Sequence, residues 1–221
     1  GGAPGTGKTT ISMSLAATLT NGGLWPDGSK APTGNVVIWS GEDDPVDTLL
    51  PRLLLSGADQ SKIYFAADIV EGDESRPFDP SKDLMALKQK ILEIGNVRLL
   101  IVDPVVSAIT GDSNKNAEVR RDLQPLADLA KELHCALLGI THFSKGTSGR
   151  DPVERLTGSV AFGAIARVVM VAAKSLNTGT HNSSARIFCR AKSNVGVDGD
   201  GFEYVIKESD LASHEGITSS F

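Results

Sequence analysis

The stretch that most restricts this chain is its first ten residues, GGAPGTGKTT. Gly2, four intervening residues and then Gly7-Lys8-Thr9 fill every position of the pattern Gly-x4-Gly-Lys-Ser/Thr. From Lys8 to Thr20 the apolar residues Ile11, Leu15 and Leu19 recur at spacings of four, which is one face of a helix, and Asn21-Gly22-Gly23 supplies the stop. A glycine-rich turn opening straight onto a helix lets backbone N–H groups converge on an anion, with the helix N-terminus adding partial positive charge. Lys8 contributes a cation, and Thr9 a hydroxyl suited to a divalent metal. The run Gly2, Ala3, Pro4, Gly5, Thr6, Gly7, Lys8, Thr9 and Thr10 is therefore read as a cradle for the β- and γ-phosphates of ATP, with Mg²⁺ on Thr9. Such loops normally follow a buried strand. None precedes Gly1, so a first strand is expected upstream.

The rest of the chain alternates. The runs at 35–40 (NVVIWS), 62–67 (KIYFAA), 97–102 (VRLLIV) and 135–141 (CALLGIT) read as buried strands. Helices are expected over 44–58, 81–94 and 117–134. Pro45 suits a first helical turn, whereas Pro51 demands a kink or a late start. Residues 68–78 read as a loop. Strand–helix alternation argues for an α/β fold with a mostly parallel sheet flanked by helices. Three β-like runs at 166–174, 184–192 and 201–208, separated by Gly, Asn and Ser, suggest a C-terminal antiparallel β extension of that sheet. One domain is expected over 1–208, with 209–221 a peripheral tail.

Ligands gather at the carboxyl ends of open parallel sheets, so polar residues ending apolar strands are the next candidates. Asp103 ends one such strand and reads either as a helix or turn cap or as the Walker B aspartate that binds Mg²⁺ directly or through water. Pro104 follows it, so no acid stands directly after. Glu42 is then the natural base to orient and deprotonate the attacking water, although Glu42, Asp43 and Asp44 also suit capping of the helix entered through Pro45. His142 ends another strand and reads either as a loop histidine or as a γ-phosphate sensor. Two polar loops carry Lys115, and Lys145, Arg150 and Arg155 respectively. They are read as solvated surface or as channel-lining contacts to a nucleic-acid backbone. Arg190 and Lys192, two apart in a strand and hence on one face, and Arg167 are read as surface ion pairs or as cations reaching a neighbouring subunit's γ-phosphate.

Composition sets the outer bounds. The net charge of −5 offers no global basic field, so nucleic-acid binding would have to be local. Cys135 and Cys189 sit in apolar runs and read as two buried thiols of a reducing cytoplasm. No apolar run reaches membrane-spanning length and no signal peptide is visible.

Together these segments resemble the RecA/DnaB superfamily, and more narrowly the RepA-like hexameric replicative helicases of plasmids and prophages. The resemblance is carried by GAPGTGKTT, SGEDDPVDTLLPRLLLSGAD, RLLIVDP, THFSKG, LTGSVAFGAIARVVMV and RAKSNVG, in the family's order. It implies a RecA-like core, Glu42 as catalytic glutamate and His142 as γ-phosphate sensor. It also implies a homo-oligomer, of hexameric type, with ATP sites between subunits and Lys192, or Arg167 or Arg190, reaching in from the next protomer. Family members translocate on single-stranded DNA. A recombination or regulatory ATPase of the same fold, or an ATP-gated scaffold, are the alternatives.

Overall fold

The computed structural model describes residues 1–71, 74–156, 160–175, 185–196 and 199–209. The tail expected at 209–221 lies outside them but for its first residue. Two compact units emerge. One holds Thr9–Thr110 and Pro125–Ile140; the other holds Gly1–Lys8, Gly111–Gln124 and Thr141–Lys207.

In the first unit, β1 (Asn35–Ser40), β2 (Ile63–Phe65), β5 (Val97–Asp103) and β6 (Ala136–Gly139) form an all-parallel sheet in the order β2-β1-β5-β6. The register sets Ile38 beside Ile101 and Ser40 beside Asp103, so the polar ends of β1 and β5 are neighbours. Val36, Ile38, Leu99 and Ile101 share one face and pack with Met13 and Ala16 of α1 (Lys8–Asn21) and Leu53 of α2 (Leu50–Leu55). Residues of the other parity, Val37, Leu100 and Val102, are as deeply buried. Both faces are therefore covered, which is why these strands read as continuous apolar runs rather than alternating ones.

Pro51 acts where it was expected to. It has no N–H to donate, and its ring crowds the carbonyl four residues back. The chain answers by widening the preceding turn into a π-helix over Pro45–Leu49, with Leu49 N donating to Asp44 O and Leu50 N to Pro45 O. Asp44 caps this turn, accepting from Val46 N and Asp47 N.

Two expectations about secondary structure are corrected. Residues 68–78 are not a plain loop: β3 (Asp68–Glu71) and β4 (Glu74–Pro77) pair antiparallel, with Asp68 opposite Pro77. The helix expected from residue 81 starts later, as α3 (Leu84–Ile94), because Asp83 is engaged elsewhere. Its carboxylate takes both guanidinium nitrogens of Arg76, at 2.7 and 2.8 Å, and the amide of Asp79.

The second unit carries α5 (Val160–Ile165) and a three-stranded antiparallel sheet, β7 (Val168–Lys174), β8 (Arg186–Ser193) and β9 (Gly201–Tyr204), in that order. The remaining helix, α4 (Asn116–Glu132), contains Pro125. Cys135 and Cys189 are free thiols, half-buried rather than fully buried as expected. Among the described residues no helix is long and apolar enough to cross a membrane.

The Arg76 fork holds the Asp83 carboxyl below the ordinary carboxylate value. A depressed carboxylate contributes stability at pH above its unfolded value, roughly 4, and loses it as pH falls through the folded value. Amide exchange in β3 and β4 is therefore expected to accelerate below about pH 4. An Arg76→Gln chain is expected to show fast exchange at neutral pH and no such acid step.

Candidate functional site

The loop at the start of the chain is pinned at two buried points. Gly2 and Thr6 are buried, while Ala3, Pro4 and Gly5 between them are exposed. Gly2 forms parallel bridges to His142 and to Ala172 of β7. Around it Gly1 N donates to Met170 O at 2.7 Å, Ala172 N to Gly1 O at 2.9 Å, and Phe143 N to Gly2 O at 3.3 Å. A side chain at position 2 would run into the Ala172 carbonyl oxygen, so only glycine allows this approach. Gly5 and Gly7 adopt φ of 71° and 82°, the left-handed region that turns successive amides into a concave donor array. The Ala3 carbonyl closes the turn, accepting from Thr6 Oγ1 at 2.8 Å and Lys8 Nζ at 3.1 Å. Lys8, Thr9 and Thr10 form the first turn of α1, which holds no acid to compete for an anion.

At the other end of this turn, Thr9 Oγ1 donates to Asp103 Oδ2 at 2.8 Å. Asp103 is only 4% exposed, and its bond to Pro104 is cis. A hydroxyl and a carboxylate oxygen this close are hard donors of the kind Mg²⁺ takes, commonly with one or two carboxylates and otherwise water or phosphate. Thr9 and Asp103 therefore fit a magnesium ion, and in the other unit Lys8 and the loop amides fit a polyphosphate.

Glu42 stands just past the same strand ends. Gly41 N donates to the Asp103 carbonyl at 2.8 Å, and Ser40 Oγ accepts from the amides of Glu42 and Asp43 at 3.4 and 2.9 Å. The acidic trio divides its tasks. Asp44 caps the π-turn, Asp43 pairs with Arg52 at 2.9 Å, and Glu42 is exposed. Ser40 and Arg52 were not singled out from the sequence. No short-range pattern links Arg52 to a carboxylate nine positions back.

The basic candidates separate as well. Lys115 pairs with Glu118 at 3.1 Å, and its loop is tied to α4 by Asp112 N on Glu118 and Gly111 N on Asp122. In the loop after His142, Arg155 lies 4.2 Å over the Phe143 ring, and Ser144 N donates to Arg155 O at 2.8 Å. Lys145 and Arg150 of that loop are exposed. Lys192 Nζ donates to the carbonyls of Gly163 and Ala166, at 2.7 and 2.9 Å, at the C-terminal end of α5. Arg190 lies 3.8 Å from Asp200, and Arg167 is exposed. The shared face expected for Arg190 and Lys192 is corrected. A β-bulge puts Lys192 opposite Val169 but Arg190 opposite Met170, so the extra residue, Ala191, turns the two cations to opposite faces.

The model of the AAA domain family matches residues 1–148, two thirds of the chain. Among solved structures, the RadB recombinase superposes with a TM-score of 0.60 at 16% identity, covering 93% of this chain and 84% of that one. A structure of a DnaB-like replicative helicase and its interactions with primase gives a TM-score of 0.60 at 11% identity. It covers 95% of this chain, which spans 55% of that chain's length. These likenesses are of fold. No curated protein matches the sequence.

Thr9→Val keeps the shape of the side chain and deletes its hydroxyl. It removes a hydrogen bond from the buried Asp103 and is expected to destabilise the nucleotide-free chain by about 1–3 kcal/mol. Urea unfolding without nucleotide checks this.

Proposed function

The chain belongs to the AAA domain family and is a P-loop ATPase of the RecA/AAA+ type, and from that premise we propose that it is an oligomeric motor of the RepA-like helicase kind, coupling ATP hydrolysis to movement on single-stranded DNA. The observation that carries the ATPase part is the 2.8 Å bond joining Thr9 to Asp103. Mg²⁺, when bound, neutralises charge on the β- and γ-phosphoryl oxygens. Lys8 and the backbone N–H groups of residues 2–10 other than Pro4, which has none, bind the phosphates, and Thr9 and Asp103 hold the metal. Glu42 orients and deprotonates water. What supports Glu42 is its exposed position just past the neighbouring polar ends of β1 and β5. His142 reads the γ-phosphate and passes its loss to the adjacent loop, an assignment supported by its backbone bridge to Gly2.

The nucleic-acid contact is assigned to Lys145 and Arg150, the exposed cations of the loop after His142. The loop carrying Lys115 is a poorer candidate, because Glu118 and Asp122 surround it with carboxylates. A neighbouring protomer's Arg167, Arg190 or Lys192 stabilises the transition state. Of these Arg167 is the most accessible, and Lys192 must first leave the α5 carbonyls.

Glu42→Gln is expected to lower ATP turnover by at least about 100-fold while ATP binding survives. Retained turnover removes Glu42 from the mechanism. Pairing Lys145→Ala with Arg150→Ala is expected to flatten the dependence of log K for single-stranded DNA on log salt by roughly 1.4. ATP affinity should stay unchanged. An unaltered slope contradicts this loop as the contact.

A further inference from the structure

Tyr204, the last residue of β9, takes no part in the assignments above. Its hydroxyl donates a hydrogen bond to the carbonyl oxygen of Thr6, although 198 positions separate the two residues. The strand that delivers it is braced. Phe202 packs edge-on against Phe188 of β8 with ring centroids 5.6 Å apart, and Arg190 N donates to Asp200 O at 2.7 Å just before β9 begins. At Gly201 an added Cβ would lie 2.5 Å from the Phe188 carbonyl oxygen, so β9 is drawn tightly against β8. Tyr204 is half-buried, and burial pushes its phenol above the usual value, which keeps it a proton donor throughout the neutral range.

What this bond does follows from peptide geometry. The Thr6–Gly7 peptide is trans, and in a planar trans peptide the C=O and N–H point in opposite directions. Holding the Thr6 carbonyl toward Tyr204 therefore turns the Gly7 N–H to the opposite side. The residues on either side, Gly5 and Gly7, have φ of 71° and 82°, and glycine moves between the two signs of φ at small cost. The Thr6 side chain is held independently, buried and bonded to Ala3 O, but it does not determine the orientation of the peptide that follows.

We propose that Tyr204 is a positioning residue for the phosphate loop, which aims the Gly7 N–H into the cradle and so raises affinity for the polyphosphate of the nucleotide. The inference rests on the ATPase reading and deepens it: a strand from the far end of the sequence becomes part of the phosphate-binding apparatus.

Isothermal titration of the full chain with MgATP and with magnesium tripolyphosphate tests it, alongside thermal unfolding without ligand. Tyr204→Phe is expected to weaken both ligands by about fivefold, the equivalent of one neutral hydrogen bond, and to lower the unfolding midpoint by no more than the loss of that one bond. Phe202→Leu loosens β9 but keeps the phenol, so it is expected to lower the midpoint and change either affinity by less than about twofold. Wild-type affinities in Tyr204→Phe overturn the proposal, whether or not the midpoint falls. A loss confined to MgATP also overturns it, since the hydroxyl would then act on the nucleoside. If Phe202→Leu loses as much affinity as Tyr204→Phe, the effect belongs to strand packing and the proposal falls. Failure of the wild-type chain to bind either ligand defeats the ATPase reading itself, an outcome distinct from a binding wild type with an unaffected variant.

Discussion

The hydrogen bond between Thr9 and Asp103 is the constraint that gives the rest of this structure its purpose. It requires the first turn of α1 to meet the carboxyl end of β5, and the hydrophobic core is what brings them there. Met13 and Ala16 of α1 pack on the face of the sheet that holds Leu99 and Ile101, two to four residues before Asp103. The same parallel register that places Ser40 beside Asp103 brings Glu42 out just beyond the strand ends. Burial thus does positional work. A core of aliphatic side chains fixes where a handful of polar oxygens stand, and the oxygens do the chemistry.

Much of this was legible in the sequence because its signals are short-range. Gly2 through Thr9 encode a turn whose φ values only glycine adopts readily, and that need appears directly as residue identity. Asp103 was legible because a charged residue closing a run of aliphatics marks the end of a buried strand. Pro51 announced a disturbed helix, and the π-turn before it is what a missing donor produces.

What was not legible depended on pairings between distant residues or on a shift of register. The β3–β4 hairpin was hidden by its charge: Asp68, Glu71, Glu74 and Arg76 leave no apolar alternation to read. The opposed faces of Arg190 and Lys192 arise from one inserted residue, Ala191, and strict two-residue periodicity cannot anticipate a bulge. The bond from Tyr204 to Thr6 leaves no trace in either local sequence, since a tyrosine ending a strand is ordinary.

The similarity in fold to both a recombinase and a replicative helicase leaves the coupled function to be decided by solution behaviour. The most direct measurement is the steady-state rate of ATP hydrolysis as single-stranded DNA is titrated at fixed low salt. A motor of the kind proposed hydrolyses ATP slowly alone and accelerates at least about tenfold with saturation, a change of about 1.4 kcal/mol in the barrier. A rate that is appreciable without DNA and indifferent to it would contradict the motor while leaving the ATPase standing.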